Sequence, residues 1–107
     1  MEHFYNISER KVLEDFKEKI ESENKSIFKT EYRYPYKGEI YVFDLVELTD
    51  NGKILKVYEL KPQSSVYNNP RSLNSIIELY KKITKTEVCL VAYYGDITNL
   101  QYHSRAF

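Results

Sequence analysis

Asp44, Glu59 and Lys61 are the residues of this chain whose types and spacing could do chemistry together, two carboxylates and an amine placed to grip a cation. They lie on the runs Glu39–Leu48 and Ile54–Lys61, both of which read as strands. Asp50-Asn51-Gly52-Lys53 separates the runs, and Asn-Gly between strand-like segments is a strong hairpin signal. A two-residue type I′ turn at Asn51-Gly52 sets the register by counting outward. Leu48 then faces Leu55, Glu47 faces Lys56, Val46 faces Val57 and Asp44 faces Glu59. Apolar meets apolar on one face, and Glu47 meets Lys56 on the other. The same register opposes two carboxylates, with β-carbons about 5 Å apart. Like charges that close destabilise a sheet, and a divalent cation is the natural compensation.

Alternation along the strands assigns the faces. Asp44 is expected beside Ile40, Val42, Val46 and Leu48, and Glu59 beside Leu55, Val57 and Lys61. Both acids thus interrupt the more apolar face. A buried carboxylate needs an ion, a partner or a raised pKa to offset its desolvation.

The chain of 107 residues predicts one domain with a single modest core. Sixteen basic and 16 acidic residues give zero net charge, which argues against binding nucleic acid by bulk charge. Lys81, Lys82 and Lys85 could form a local basic surface, though a solvated helix face is the plainer reading. Eleven tyrosines fit half-buried strands, with stacking on bases as the sharper alternative. The lone Cys89 sits in an apolar stretch and reads as a buried small hydrophobe in a reducing compartment. The polar N-terminus and the lack of any apolar run near the roughly 20 residues that span a bilayer predict a cytoplasmic protein with no membrane partner. His3 and His103 read as incidental. No Gly-rich phosphate loop, Cys/His metal cluster or Ser/His/Asp arrangement occurs in the sequence.

The elements that must position the acids follow in order. A helix is expected from Ser8, its N-cap, to Glu23, with Val12, Leu13, Phe16 and Ile20 as its apolar stripe and Glu9 continuing that stripe. A strand follows over Ile27–Tyr34, then a turn over Pro35–Gly38 and the Asn-Gly hairpin. Pro62 ends the third strand. Gln63–Pro70 reads as a Ser- and Asn-rich loop. A second helix is predicted over Arg71–Thr84, with Leu73, Ile76, Ile77, Tyr80 and Ile83 on one face. Glu87–Tyr94 is apolar enough for an interior strand, and Asn99–His103 suits a short edge strand. The predicted order is α-β-β-β-α-β.

With Phe43-Asp44 ending the second strand, Glu59-Leu60-Lys61 on the third and Glu9 in the first helix, this layout resembles the PD-(D/E)XK nuclease superfamily. The run Glu9-Arg-Lys-Val-Leu-Glu-Asp-Phe16 is similar to the opening helix of archaeal Holliday-junction resolvases. The layout also resembles the N-terminal nuclease domain of type I restriction enzyme R subunits. The resemblance covers about residues 8–94. It implies a restriction-endonuclease-like α/β (α+β) fold, a central mixed sheet flanked by helices. It further implies a Mg²⁺-dependent nuclease, with Mn²⁺ able to substitute, cleaving phosphodiesters of DNA foremost, in defence or DNA processing.

On that resemblance, Asp44, Glu59 and the Leu60 carbonyl hold Mg²⁺, a hard cation that keeps several waters. Lys61 orients or deprotonates the attacking water, or stabilises the transition state. Glu9 binds a second ion or positions the first through water, with Glu14 as runner-up. Gln63 contacts a phosphate or a metal-bound water. Two departures stand out: Phe43 replaces the superfamily's proline, and Ile76 replaces the Gln of a Gln-x-x-x-Tyr pattern whose Tyr80 is present. Neutral charge implies that substrate grip comes from another domain, a partner subunit or a homodimer, and the small size suggests a module of a longer protein. The rivals are a non-catalytic domain of the same fold, used for nucleic-acid binding or protein interaction, and an unrelated α+β interaction domain whose acids form surface ion pairs.

Overall fold

A computed structural model describes residues 8–96 and 98–107; His3 lies outside them. The elements are α1 (Glu9–Glu21), β1 (Ile27–Tyr36), β2 (Glu39–Leu48), β3 (Ile54–Pro62), α2 (Gln63–Asn68), α3 (Pro70–Thr84), β4 (Glu87–Asp96) and β5 (Asn99–Ala106). The strands form one sheet in the order β1-β2-β3-β4-β5. β3 and β4 run parallel, and every other neighbouring pair is antiparallel. A parallel pair needs a crossover, which α2 and α3 supply.

The two main helices cover opposite faces. Val12, Leu13 and Phe16 of α1 pack on Phe28, Leu45, Tyr58, Leu60 and Val91. Ile77 and Ile83 of α3 pack on Phe43, Val46, Val57, Val88 and Leu90. The result is an α+β fold, a five-stranded mixed sheet flanked by helices. β4 lies inside the sheet, as its apolar run predicts, and β5 forms an edge. Cys89 is buried there, with burial pushing its thiol pKa up, so it is a packing residue. Tyr102 of β5 donates to Asp15 Oδ2 at 2.5 Å, and Lys19 Nζ donates to the Leu100 carbonyl at 3.2 Å, tying α1 to the edge strand.

Both hairpin turns differ from expectation. The two-residue turn belongs to Lys37-Gly38, where φ is 49° and 84° and Tyr36 pairs with Glu39. Positive φ at both central residues is the type I′ requirement. At the second hairpin only Gly52 has positive φ, at 86°, and Asn51 does not. Asp50-Asn51-Gly52 is instead a three-residue loop, in which Thr49 N–H donates to Lys53 O at 2.8 Å and Gly52 N–H to Thr49 O at 3.0 Å. Leu48 therefore faces Ile54 rather than Leu55. Leu55 bulges out of the ladder and is 45% exposed, correcting its assignment to the apolar face. Loop and bulge displace the pairing by one residue in opposite senses, so Glu47↔Lys56 and Val46↔Val57 form as predicted.

Residues 63–68, expected as loop, form the short helix α2. Val66 packs against the α3-side core, a tertiary contact that composition does not announce. Ser8 precedes α1 as expected, but its side chain makes no capping hydrogen bond. No described helix is long and apolar enough to cross a membrane.

Candidate active site

β2 reverses its facing at Asp44. Phe43 and Val46 both pack on the α3 side, whereas Leu45 packs on the α1 side. β1 makes the same switch on the opposite rung: Phe28 faces α1, while Tyr32, Tyr34 and Tyr36 face α3. Glu31, opposite Asp44, absorbs the step with φ of 49°. A left-handed non-glycine residue costs about 1–2 kcal/mol. Packing of the distal hairpin on α3 offsets that strain. The Phe43 and Tyr80 rings lie 4.7 Å apart, the Tyr34 and Phe43 rings 5.4 Å, and Tyr34 Oη donates to the Ile83 carbonyl at 3.3 Å. Ile40 and Val42, expected beside Asp44 on the apolar face, are instead 55% and 47% exposed.

The switch leaves a gap that Asp44 fills. Backbone pairing of β2 with β3 ends at Leu45↔Tyr58. Where an Asp44–Glu59 rung was expected, Asp44 Oδ2 accepts the Leu60 N–H at 2.8 Å. The N–H and C=O of one residue in an extended strand project to the same edge. The Leu60 carbonyl therefore turns toward β2 beside Asp44.

Among the described residues, Glu59 is the buried charged residue of the core, 5% exposed. Lys61 Nζ lies 3.5 Å from its Oε2, but its Oε1 is buried with no partner among the described residues. Burial pushes the Glu59 carboxyl up to about 7; Asp44's charge adds to the shift and Lys61 opposes it. Burial also raises Asp44, against the Leu60 N–H and Lys61. Tyr80 is pushed up to about 12, by burial first and then by Glu59 and Asp44, so it flanks the acids as a neutral phenol.

Glu9 is exposed on the first turn of α1 rather than part of its buried stripe. It nevertheless lines one small cleft with Val12, Leu13, Asp44, Leu60 and Tyr93. Glu14 lies on a separate depression with Lys11, Asp15 and Glu18, away from Asp44. Gln63 begins α2, two residues past Lys61. His103 sits on the exposed edge strand opposite Ala92. Tyr93, which sequence reasoning passed over, forms a wall of the cleft. Its signal was its place at the polar end of the apolar run Glu87–Tyr94, which β3 pairing sets beside Pro62.

Among the described residues, no three His, Cys, Asp or Glu side chains group to hold a metal. Two carboxylates and a backbone carbonyl, Asp44, Glu59 and Leu60, remain as donors. Mg²⁺ commonly takes one or two carboxylates and completes its shell with water and phosphate oxygens, so this donor set fits it. The unpartnered Glu59 Oε1 supports the fit, because buried polar atoms rarely lack a partner. No family model, curated protein or solved structure matches this chain.

Proposed function

We propose that this protein is a Mg²⁺-dependent nuclease with a restriction-endonuclease-like arrangement, hydrolysing phosphodiester bonds of DNA in defence or DNA processing. The observation that carries the proposal is Glu59: a core carboxylate beside Asp44, with one oxygen near Lys61 and the other buried without a nitrogen donor among the described residues. A purely structural ion pair would not need a second, half-buried acid to raise the cost of its charge. When bound, Mg²⁺ would supply Lewis-acid stabilisation of phosphate charge and lower the pKa of a coordinated water.

The chain's own residues do the rest. Asp44 and Glu59 present carboxylate oxygens, with Asp44 fixed by the Leu60 N–H. The Leu60 carbonyl is the third donor. Lys61, about a third exposed, reaches from the buried acid toward solvent, where its ammonium meets a phosphate oxygen or orients the attacking water. Phe43 and Tyr80 exclude water from the α3 side. Glu9 stands across the cleft from Asp44, placed to act through water, and Gln63 is placed to contact the phosphate.

The test incubates plasmid and single-stranded DNA with Mn²⁺ and compares wild type, Glu59→Ala and Lys61→Ala. Cleavage lost in both variants supports the assignment. Equal cleavage by all three removes it.

A further inference from the structure

We infer that the strand entering this site is single-stranded DNA, and that it runs along α2 with an unpaired base stacked on Tyr67. The inference deepens the nuclease reading and rests on it for the position of the phosphate. Tyr67 is 75% exposed, more than any other large apolar side chain among the described residues. It is not loosely placed, because the preceding Val66 anchors α2 in the α3-side core. Helical spacing sets Tyr67 one turn from Gln63, on the same face of α2. Gln63 in turn follows Lys61 by two residues. The aromatic ring therefore stands one helical turn beyond the proposed phosphate contacts.

Charge points the same way. No acidic residue lies between Glu59 and Glu78, while Lys61 and Arg71 fall in that interval and Ser and Asn fill much of the rest. On the α1 side, by contrast, Glu9 borders the cleft. A polyanion leaving the acids meets five acidic and four basic residues along α1, but a stretch free of acids over α2. Two cations and a neutral chain grip a duplex weakly, since duplex binding depends on many phosphate contacts. Stacking needs no charge and accepts any base, but only an unpaired base offers its π-face. Tyr94, 43% exposed on the neighbouring strand β4, faces the same side of the sheet as α2 and widens the platform.

The experiment measures fluorescence anisotropy of a labelled oligothymidylate and of a duplex of equal length, in EDTA, with wild type, Tyr67→Ala and Tyr67→Phe. Wild type should bind the single strand more tightly than the duplex. Tyr67→Ala should weaken single-strand binding by about tenfold, the scale of one lost base stack, and Tyr67→Phe should restore it. The Mn²⁺-induced rise in melting temperature should survive in Tyr67→Ala, which shows that the variant is folded with the acids in place. Equal binding by wild type and Tyr67→Ala, a duplex bound as tightly as the single strand, or no binding of the single strand overturns the inference and leaves the nuclease reading standing. Conversely, a Tyr67 effect with neither cleavage nor a metal-dependent melting shift would overturn the nuclease reading alone.

Discussion

Asp44 Oδ2 accepts the Leu60 N–H at 2.8 Å, so a side-chain carboxylate takes the place of a backbone rung between β2 and β3. Removing the acceptor should cost more than removing the charge. Asp44→Ala leaves the Leu60 N–H unpaired and is expected to lower stability by about 1–3 kcal/mol in urea unfolding. Asp44→Asn keeps an acceptor oxygen and relieves the repulsion on Glu59, so its loss without metal should be smaller. Equal losses for the two variants would show that this bond does not hold the strands.

Glu59 makes the metal-free protein pH-sensitive in a defined sense. Its carboxyl is raised from an ordinary 4.5 to about 7 in the folded state, chiefly by burial. Between those values the folded chain holds more protons than the unfolded chain, so stability falls as pH rises across that window and levels off above it. Asp44, also raised, acts in the same direction. Urea midpoints in EDTA should therefore be higher near about pH 5 than near about pH 8. Glu59→Gln should flatten the difference; an unchanged slope would mean that Glu59 is not the group responsible.

Divalent cation should reverse that trend. A site formed by Asp44 and Glu59 binds their deprotonated forms, so Mn²⁺ affinity is expected to rise as pH passes through about 7. At saturating metal the melting temperature should climb, corresponding to about 2.7 kcal/mol when the concentration is a hundred times Kd. Glu59→Gln should abolish the saturable part. A rise that persists in that variant would place the ion elsewhere.

The turn at Lys37-Gly38 lies apart from the proposed site and carries its own expectation. Lys37 holds φ of 49°, a conformation that Asn tolerates better than Lys. Lys37→Asn is expected to stabilise by a few tenths to about 1 kcal/mol, read as a raised urea midpoint. Destabilisation would contradict the type I′ assignment.

Much of the layout was legible because period and punctuation agree with tertiary packing. The turn-side residues Val46, Leu48 and Val57 of β2 and β3, the apolar run of β4 and the stripe Val12, Leu13, Phe16 found the partners that their patterns demand. Glu59 and Lys61 were legible as a pair two residues apart on one strand face, and they meet at 3.5 Å. What escaped were features set by contacts rather than by local sequence. Asn51-Gly52 and Lys37-Gly38 each carry one glycine, and nothing local says which takes the two-residue turn. The facing switch at Glu31 and Asp44 follows from five aromatic side chains of the hairpin that pack on α3, which no period along either strand reveals. α2 escaped because Ser and Asn are loop residues by propensity, and its link to the core is the packing of Val66.

The extra residue in the Asp50–Gly52 loop and the extra residue at Leu55 cancel, so everything beyond Glu47 and Lys56 is insulated from the length of the bend. Shortening the bend by one residue would leave Thr49 opposite Lys53 and the Leu55 bulge in place, so Glu59 should keep its surface. Removing Leu55 together with that residue should also leave the acids where they stand. In chains descended from a common ancestor with this one, the tip should therefore vary in length without any matching change at the kink.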